Sequence, residues 1–281
     1  MKVKWLIWGV FVVTLMMFGS FQLIFTTRAT PEVTSIHSGN VATELKCHQS
    51  DSAQAIDDAG RLNILVWNIY KQNRENLLPE LERLSKGKQL ALLQEANLDA
   101  SFLQWLKESS WSSQQASAFK AFDVSAGVLN LSTHMPSIAC ANLQVEPWLR
   151  LPKSGLYAEY ALSNGTKLIT VNLHSVNFTV GTEEYQAQLE SFKQVLISHK
   201  GALLIAGDFN SWSEERLEVL RSVLKKYHIK EVTFKDDNRK RFITGLPLDH
   251  IFYRGMTLLS SSSPPSTASD HNPMMAEFRL D

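Results

Sequence analysis

The sequence predicts an α/β body with mixed sheets, its strands layered and its helices outside. Three observations carry this expectation. Short apolar runs of strand length recur between residues 61 and 281. Amphipathic stretches of helical period fall between them. An Asn-Gly pair, in Ser163-Asn164-Gly165-Thr166, marks a hairpin and so antiparallel pairing inside the same body.

Taken in order, Leu62-Asn63-Ile64-Leu65-Val66-Trp67 is an apolar run of the buried-strand kind. Residues 76–85 form a helix, with Pro79 tolerated in the first turn. Residues 90–93 are a second strand and 100–107 a short helix. Strands follow at 127–131, 157–162 and 167–173, the last two joined by the hairpin. Thr182 stands where it would cap a helix, with Glu183 and Glu184 in the first turn and Tyr185, Leu189, Phe192 and Leu196 on one face. Residues 202–206 are a short apolar strand. Ser213 caps a further helix striped by Leu217, Leu220 and Leu224. Residues 248–253 and 274–278 return to β structure.

Composition narrows the partners. The 281 residues are 44% apolar and 20% charged, enough for a substantial core. Twenty-eight acidic residues balance 28 basic ones, which argues against a protein that grips long nucleic acid by charge alone. Two cysteines, Cys47 and Cys140, cannot make a disulfide framework, and two ordinary thiols are the simpler reading. A single bridge between them would require an oxidising compartment.

Residues 5–25 carry no charge, with Lys2 and Lys4 before them and Arg28 after. Such a run is long enough to cross a bilayer as a helix. No small-x-small cleavage site follows it. Residues 1–28 therefore read as a membrane anchor or signal segment. The preceding lysines favour a body outside the cytoplasm, while Arg28 opposes that orientation, and a cytoplasmic body is the alternative. Residues 29–60, polar and without apolar period, read as a flexible linker to a domain spanning 61–281.

The chemistry-bearing residues fall at strand ends: Asn68, Glu95, His174, Asp208, Asn210, Asp249, Asp270 and His271. Singly, an Asp or Asn after a strand is usually a turn former and a lone His structural. Together they supply oxygen donors for a hard divalent cation, two imidazoles and amide side chains. Phosphoester hydrolysis needs that combination: neutralised phosphate charge, a positioned water and a base. The basic run Arg239-Lys240-Arg241 reads as a solvated loop rather than a phosphate contact.

At these residues the chain resembles the endonuclease/exonuclease/phosphatase superfamily. The matching blocks, in family order, are Val66-Trp67-Asn68-Ile69-Tyr70, Leu93-Gln94-Glu95, Val171-Asn172-Leu173-His174, Gly207-Asp208-Phe209-Asn210, Leu248-Asp249-His250-Ile251-Phe252 and Ser269-Asp270-His271-Asn272-Pro273. Gly127-Val128 fits the family's small-residue block, and the longer strings look close to a bacterial YafD-like branch. The resemblance implies a four-layer α/β sandwich, two mixed sheets face to face with helices outside. It implies Mg²⁺ or Mn²⁺ held by Glu95 with Asn68 and Asp270 beside it. Asp208 and Asn210 would position phosphate and water. His271 would act as base or as phosphate-stabilising imidazolium, oriented by Asp249. His174, helped by Asn177, would hold a phosphate oxygen. The abasic-site nuclease branch has an acidic residue two positions after the first Asn, where this chain has Tyr70.

The expected function is metal-dependent hydrolysis of a phosphodiester or phosphomonoester, the substrate being a nucleic acid, a phospholipid or an inositol phosphate. The chain would act as a monomer with no obligate protein partner, touching the membrane through its N-terminal segment. The alternative is a catalytically silent binding module on a membrane anchor.

Overall fold

Alternation along the apolar strands assigns each side chain to one of two faces. In β5 (Arg61–Asn68), Leu62, Ile64 and Val66 point one way, while Leu65 and Trp67 point the other. The computed structural model describes residues 23–281 together with residues 5, 8, 11–13, 16, 19 and 21. Among the described residues, strands form one nine-stranded and one seven-stranded sheet. Before β5 come β1 (Phe25–Thr26), β2 (Glu32–His37), β3 (Asn40–Leu45) and β4 (Cys47–Gln49). After it come β6 (Leu90–Asn97), β7 (Ser112–Ala121), β8 (Val124–Ser132), β9 (Ile138–Val145), β10 (Pro152–Ala161) and β11 (Lys167–His174). The series ends with β12 (Leu203–Asp208), β13 (Lys230–Glu231), β14 (Asp249–Arg254), β15 (Met256–Ser262) and β16 (Met274–Leu280).

The first sheet runs β15-β16-β5-β6-β8-β7-β2-β3, with β1 on β7; the second runs β13-β14-β12-β11-β10-β9-β4. Both are mixed, since β5 and β6 pair in parallel, as do β11 and β12, whereas β14 and β16 run antiparallel. Their inner faces meet in one core that includes Ile64, Leu92, Val128, Ala158, Leu204 and Ile251. The outer face of the first sheet is covered by α1 (Leu77–Ser85) and α2 (Ala100–Glu108), which bury Leu81 and Phe102 against Leu65 and Leu93. The outer face of the second is covered by α3 (Glu183–Glu190), α4 (Lys193–Ser198) and α5 (Glu214–Lys226). These bury Tyr185, Leu189, Leu196 and Leu220 against Val171 and Ile205. The result is the four-layer α/β sandwich.

Three expectations are corrected. Residues 29–60 are not a linker: β2 joins β7 from Glu32↔Ser117 to Ile36↔Ser113, β3 extends that edge, and β4 joins the other sheet. The signal is weak in sequence because strands at or next to a sheet edge are held by main-chain hydrogen bonds, and only Val33, Ile36 and Ile56 of this segment reach an apolar core. Cys47 and Cys140 are not free thiols. Register places them opposite each other on β4 and β9, and they form a disulfide. The helix expected from Thr182 is two helices, and Thr182 makes no side-chain cap, although Tyr185, Leu189, Phe192 and Leu196 are all buried as one face. Ser213 does cap α5, accepting from the Arg216 amide. Half of the residues of the anchor expected over residues 1–28 lie outside the described residues. No helix among those described is long and apolar enough to cross a membrane.

The disulfide closes a loop with a sequence separation of 93 residues. Replacing both cysteines by alanine is expected to cost about 2–4 kcal/mol by lengthening the reach of the unfolded chain. An unchanged urea midpoint under otherwise equal conditions would show that the cross-link contributes nothing.

Candidate active site

The inner-face phase of the strands, continued to their last residue, lays out the site. Leu62, Ile64 and Val66 lead to Asn68; Leu204 and Ala206 lead to Asp208; Leu168 and Thr170 lead to Asn172 and His174. Antiparallel β14 begins at the same end with Asp249. Pairing then sets His174 beside Asp208 and Asp208 beside Asp249. No side chain fits immediately before Asp208: Gly207 has φ 141°, and a Cβ there would stand 2.0 Å from the Leu173 carbonyl oxygen.

Glu95 follows a different rule. Strict alternation would send it outward with Leu93, but a register shift between Leu93 and Ala96 and a φ of 54° turn it inward. Tyr70, Lys71 and Gln72 are also left-handed, with φ 49°, 52° and 55°. Such conformations each cost on the order of 1–3 kcal/mol and persist where the surroundings impose them. Here they bring the Lys71 ammonium onto the Glu95 carboxylate. Asn68 Oδ1 accepts from the Tyr70 amide at 3.1 Å and holds the start of this turn.

A pocket of about 420 Å³ opens between the sheet ends. Glu95, His174, Asn177, Asp208, Asn210, Asp270 and His271 all line it. Asn68 and Asp249 stand behind. Asn68 Nδ2 donates to Asp208 Oδ2 at 3.0 Å, and the Asn210 amide donates to Asp208 Oδ1 at 2.9 Å. His174 Nε2 is 3.6 Å and His271 Nε2 3.9 Å from the same Asp208 Oδ2. Asp249 Oδ2 meets His271 Nδ1 at 2.8 Å, so the carboxylate orients the ring and leaves Nε2 facing the pocket. The His271 carbonyl accepts from Trp67 Nε1 at 2.8 Å, which fixes the backbone of that loop.

The two imidazoles are held in opposite protonation states. Burial alone would lower the pKa of His271, but the Asp249 carboxylate, with Asp208 and Asp270 beyond it, raises it to about 10. Burial and the neighbouring Lys153 ammonium lower that of His174 to about 4. Lys153 Nζ donates to His174 Nε2 at 3.0 Å, which suits the neutral ring. Burial would raise the pKa of Glu95, yet His174, Lys71 and Lys153 hold it at about 2. Because His174 is neutral above about pH 4, the two lysines keep Glu95 ionised at neutral pH.

The donor set fits a hard divalent cation. Glu95 already faces one cation, the Lys71 ammonium. Asp270 Oδ1 is shielded from water without a hydrogen-bond partner, and Lys240 Nζ is 4.0 Å from Oδ2. Among the described residues one trio, Asp208, Asp249 and His271, offers ligand atoms within 4.8 Å of one another. That is not the expected set of Glu95, Asn68 and Asp270. Its atoms are occupied by their own contacts, His271 Nδ1 by Asp249 and Asp208 Oδ2 by Asn68. It is a hydrogen-bonded relay rather than a cage.

Several contributors carry little sequence signal. Lys71 and Lys153 reach the site only through a left-handed turn and a strand pairing. Gln94 and Asn172 are more legible, being polar at inner positions of apolar strands. Gln94 Nε2 donates to Asn172 Oδ1 at 2.7 Å, and Asn172 Nδ2 to Asn130 Oδ1 at 3.0 Å, tying the two sheets beneath Glu95. Buried Arg216 donates to the carbonyls of Val176, Asn177 and Asn210 and so clamps the loops that carry Asn177 and Asn210. Asn177 Oδ1 in turn accepts from Trp212 Nε1 at 2.9 Å. The 239–241 run is not a solvated loop: Arg239 pairs with Asp237 and Glu231 and donates to the Asp249 carbonyl at 3.0 Å, while Lys240 lines the pocket.

Comparison with known proteins agrees with this geometry. The sequence profile of the Endonuclease/Exonuclease/phosphatase family matches residues 65–271. The UPF0294 protein of Vibrio campbellii is 52% identical over 263 residues, 94% of this chain and 93% of that one. The endonuclease/exonuclease/phosphatase of Beutenbergia cavernae superposes with a TM-score of 0.62 at 15% identity, over 78% of this chain and 72% of its own. The mannosyl-6-phosphatase of Bacteroides thetaiotaomicron superposes with a TM-score of 0.61 at 14% identity, over 78% and 100%. With the sequence blocks, the sandwich and the profile in agreement, the chain belongs to the endonuclease/exonuclease/phosphatase family, in its YafD-like branch.

Proposed function

We propose that this protein hydrolyses a phosphodiester or phosphomonoester with the help of Mg²⁺ or Mn²⁺. The observation that carries the reading is the convergence, in one pocket, of ionised Glu95, the Asp208 carboxylate and an Asp249-oriented His271. Glu95 would hold the metal, with Asn68 and Asp270 beside it. When bound, the metal neutralises charge on the phosphate and orients it. Asp208, steadied by Asn68 and the Asn210 amide, takes a proton from the attacking water. His271 as imidazolium faces a phosphate oxygen through Nε2, and the Lys153 ammonium, positioned by its bond to neutral His174, faces another. The new P–O bond forms as the ester P–O bond breaks, and the leaving oxygen takes its proton from solvent. Every group named comes from one copy of the chain, so a monomer suffices.

Hydrolysis of bis(p-nitrophenyl) phosphate by the full chain is expected to stop on chelation with EDTA and to return with Mg²⁺ or Mn²⁺. Glu95→Gln is expected to raise the half-saturating metal concentration by about tenfold or more. Full activity after exhaustive chelation would remove the metal from the reading.

We further propose that residues 5–25 tether the body outside the cytoplasm. The uncharged run supports the tether, and the Cys47–Cys140 disulfide supports an oxidising compartment. Protease added to intact spheroplasts is expected to digest the body; complete protection would place it inside.

A further inference from the structure

We propose that the mouth of the pocket docks on a lipid bilayer, and that the phosphoester it takes is a phospholipid headgroup. This rests on the phosphoesterase reading and names its substrate class. The pocket is amphipathic. Its floor holds Lys71, Lys153 and Lys240 among the acids and imidazoles, whereas its wall includes Leu149, Phe178 and Phe242, all three exposed. Each comes from a separate loop, and each loop carries a further apolar side chain turned to solvent: Trp148 is 71% exposed, Val180 74% and Ile243 94%. Scattered apolar residues on a surface need no explanation. A ring of them around one polar pocket does, because such patches mark lipid or protein contact.

Two observations choose the bilayer. The first is charge. Lys153 and Lys240 inside the mouth, with exposed Arg150 next to Leu149, set cations directly behind the apolar rim. Interfacial lipid binding pairs apolar insertion with anionic headgroups in this way. The second is where the N-terminal run arrives. Phe25 pairs with Ala121, Phe25 lies 5.9 Å from Phe119 ring to ring, and the Phe122 amide donates to the Ile24 carbonyl. Phe119 lines the pocket and Phe122 is exposed. The uncharged residues 5–25 thus end at the pocket's own edge, so a bilayer that receives them faces the mouth. Nucleic acid fits less well: bases stack on aromatic faces, and only half of the rim, Trp148, Phe178 and Phe242, offers one, while Leu149, Val180 and Ile243 offer none. In the step itself, water oxygen bonds to the headgroup phosphorus, one P–O ester bond breaks, the water's proton passes to Asp208, and an alcohol leaves with a proton from solvent.

The test uses the full chain in two assays. In the first, phospholipid in mixed micelles of phosphatidylglycerol and phosphatidylethanolamine is compared with soluble bis(p-nitrophenyl) phosphate, with Mg²⁺ present. Trp148→Glu/Val180→Glu/Ile243→Glu is expected to lose about tenfold or more on the micelles and to stay within about twofold on the soluble ester. In the second, tryptophan emission is measured in nanodiscs of brominated phospholipid, where the wild type should be quenched more than Trp148→Phe. Equal quenching of the two overturns docking, whatever the hydrolysis shows. Hydrolysis of the soluble ester but not of phospholipid overturns the substrate class and leaves the phosphoesterase reading standing. Selective loss of single-stranded DNA cleavage in the triple variant assigns the rim to nucleic acid and also overturns it. Failure on the soluble ester and on phospholipid alike counts against the phosphoesterase reading and its substrate class, while quenching still decides the docking.

Discussion

Asp249→Asn and His271→Ala are each expected to cut kcat by about a hundredfold or more, with the double variant little worse than His271→Ala. The two residues are 22 positions apart, and their 2.8 Å contact exists only because β14 and the loop before β16 end on the same edge of the sandwich. A carboxylate that acts through an imidazole has nothing left to act on once the ring is gone, so the losses overlap. Independent roles would multiply. The pH profile adds a readout that simple loss of packing would not move. Asp249 is the main influence raising the pKa of His271 to about 10 against burial, which lowers it. In Asp249→Asn the opposing influence of burial remains, so the imidazolium is lost at lower pH. The alkaline limb of kcat should therefore begin near pH 10 in the wild type and move several units toward neutrality in the variant. An unmoved limb would take His271 out of the protonated role.

Asp208→Asn is expected to lower kcat by about a hundredfold to a thousandfold while KM changes little. Asp208 is the meeting point of the site: it accepts from Asn68 and from the Asn210 amide and faces both imidazoles. The amide keeps the shape but cannot take a proton, and its NH₂ would oppose that of Asn68. Stability should change little, since removal of a buried charge offsets the opposed amide. Measuring the unfolding midpoint beside the kinetics separates the two effects. A loss of activity that merely follows a fall in stability would make Asp208 structural.

The site was legible in the sequence to the extent that it obeys strand phase. Asn68, His174 and Asp208 are polar residues at the inner-face ends of apolar strands, and that pattern can be counted without coordinates. Glu95 breaks the phase, and a bulge rather than its spacing turns it inward. Lys71 and Lys153 carried no signal, because a lysine after a turn or in a half-exposed strand is ordinary until its neighbours are known. Strand β2 and the edge strands β3 and β4 were hidden for a related reason, since main-chain pairing leaves little mark on polar side chains.

By itself, then, the sequence determined the layering of sheets and helices, the family and most of the acidic, amide and imidazole residues of the pocket. Those properties follow from local periodicity and from short blocks, which survive in a linear string. Only the tertiary structure decided that Cys47 meets Cys140, that two lysines share the site with Glu95, and that His174 is neutral while His271 is charged. Each of these depends on a distance between residues far apart in the chain, and charge interactions and bond formation are set by distance, not by order.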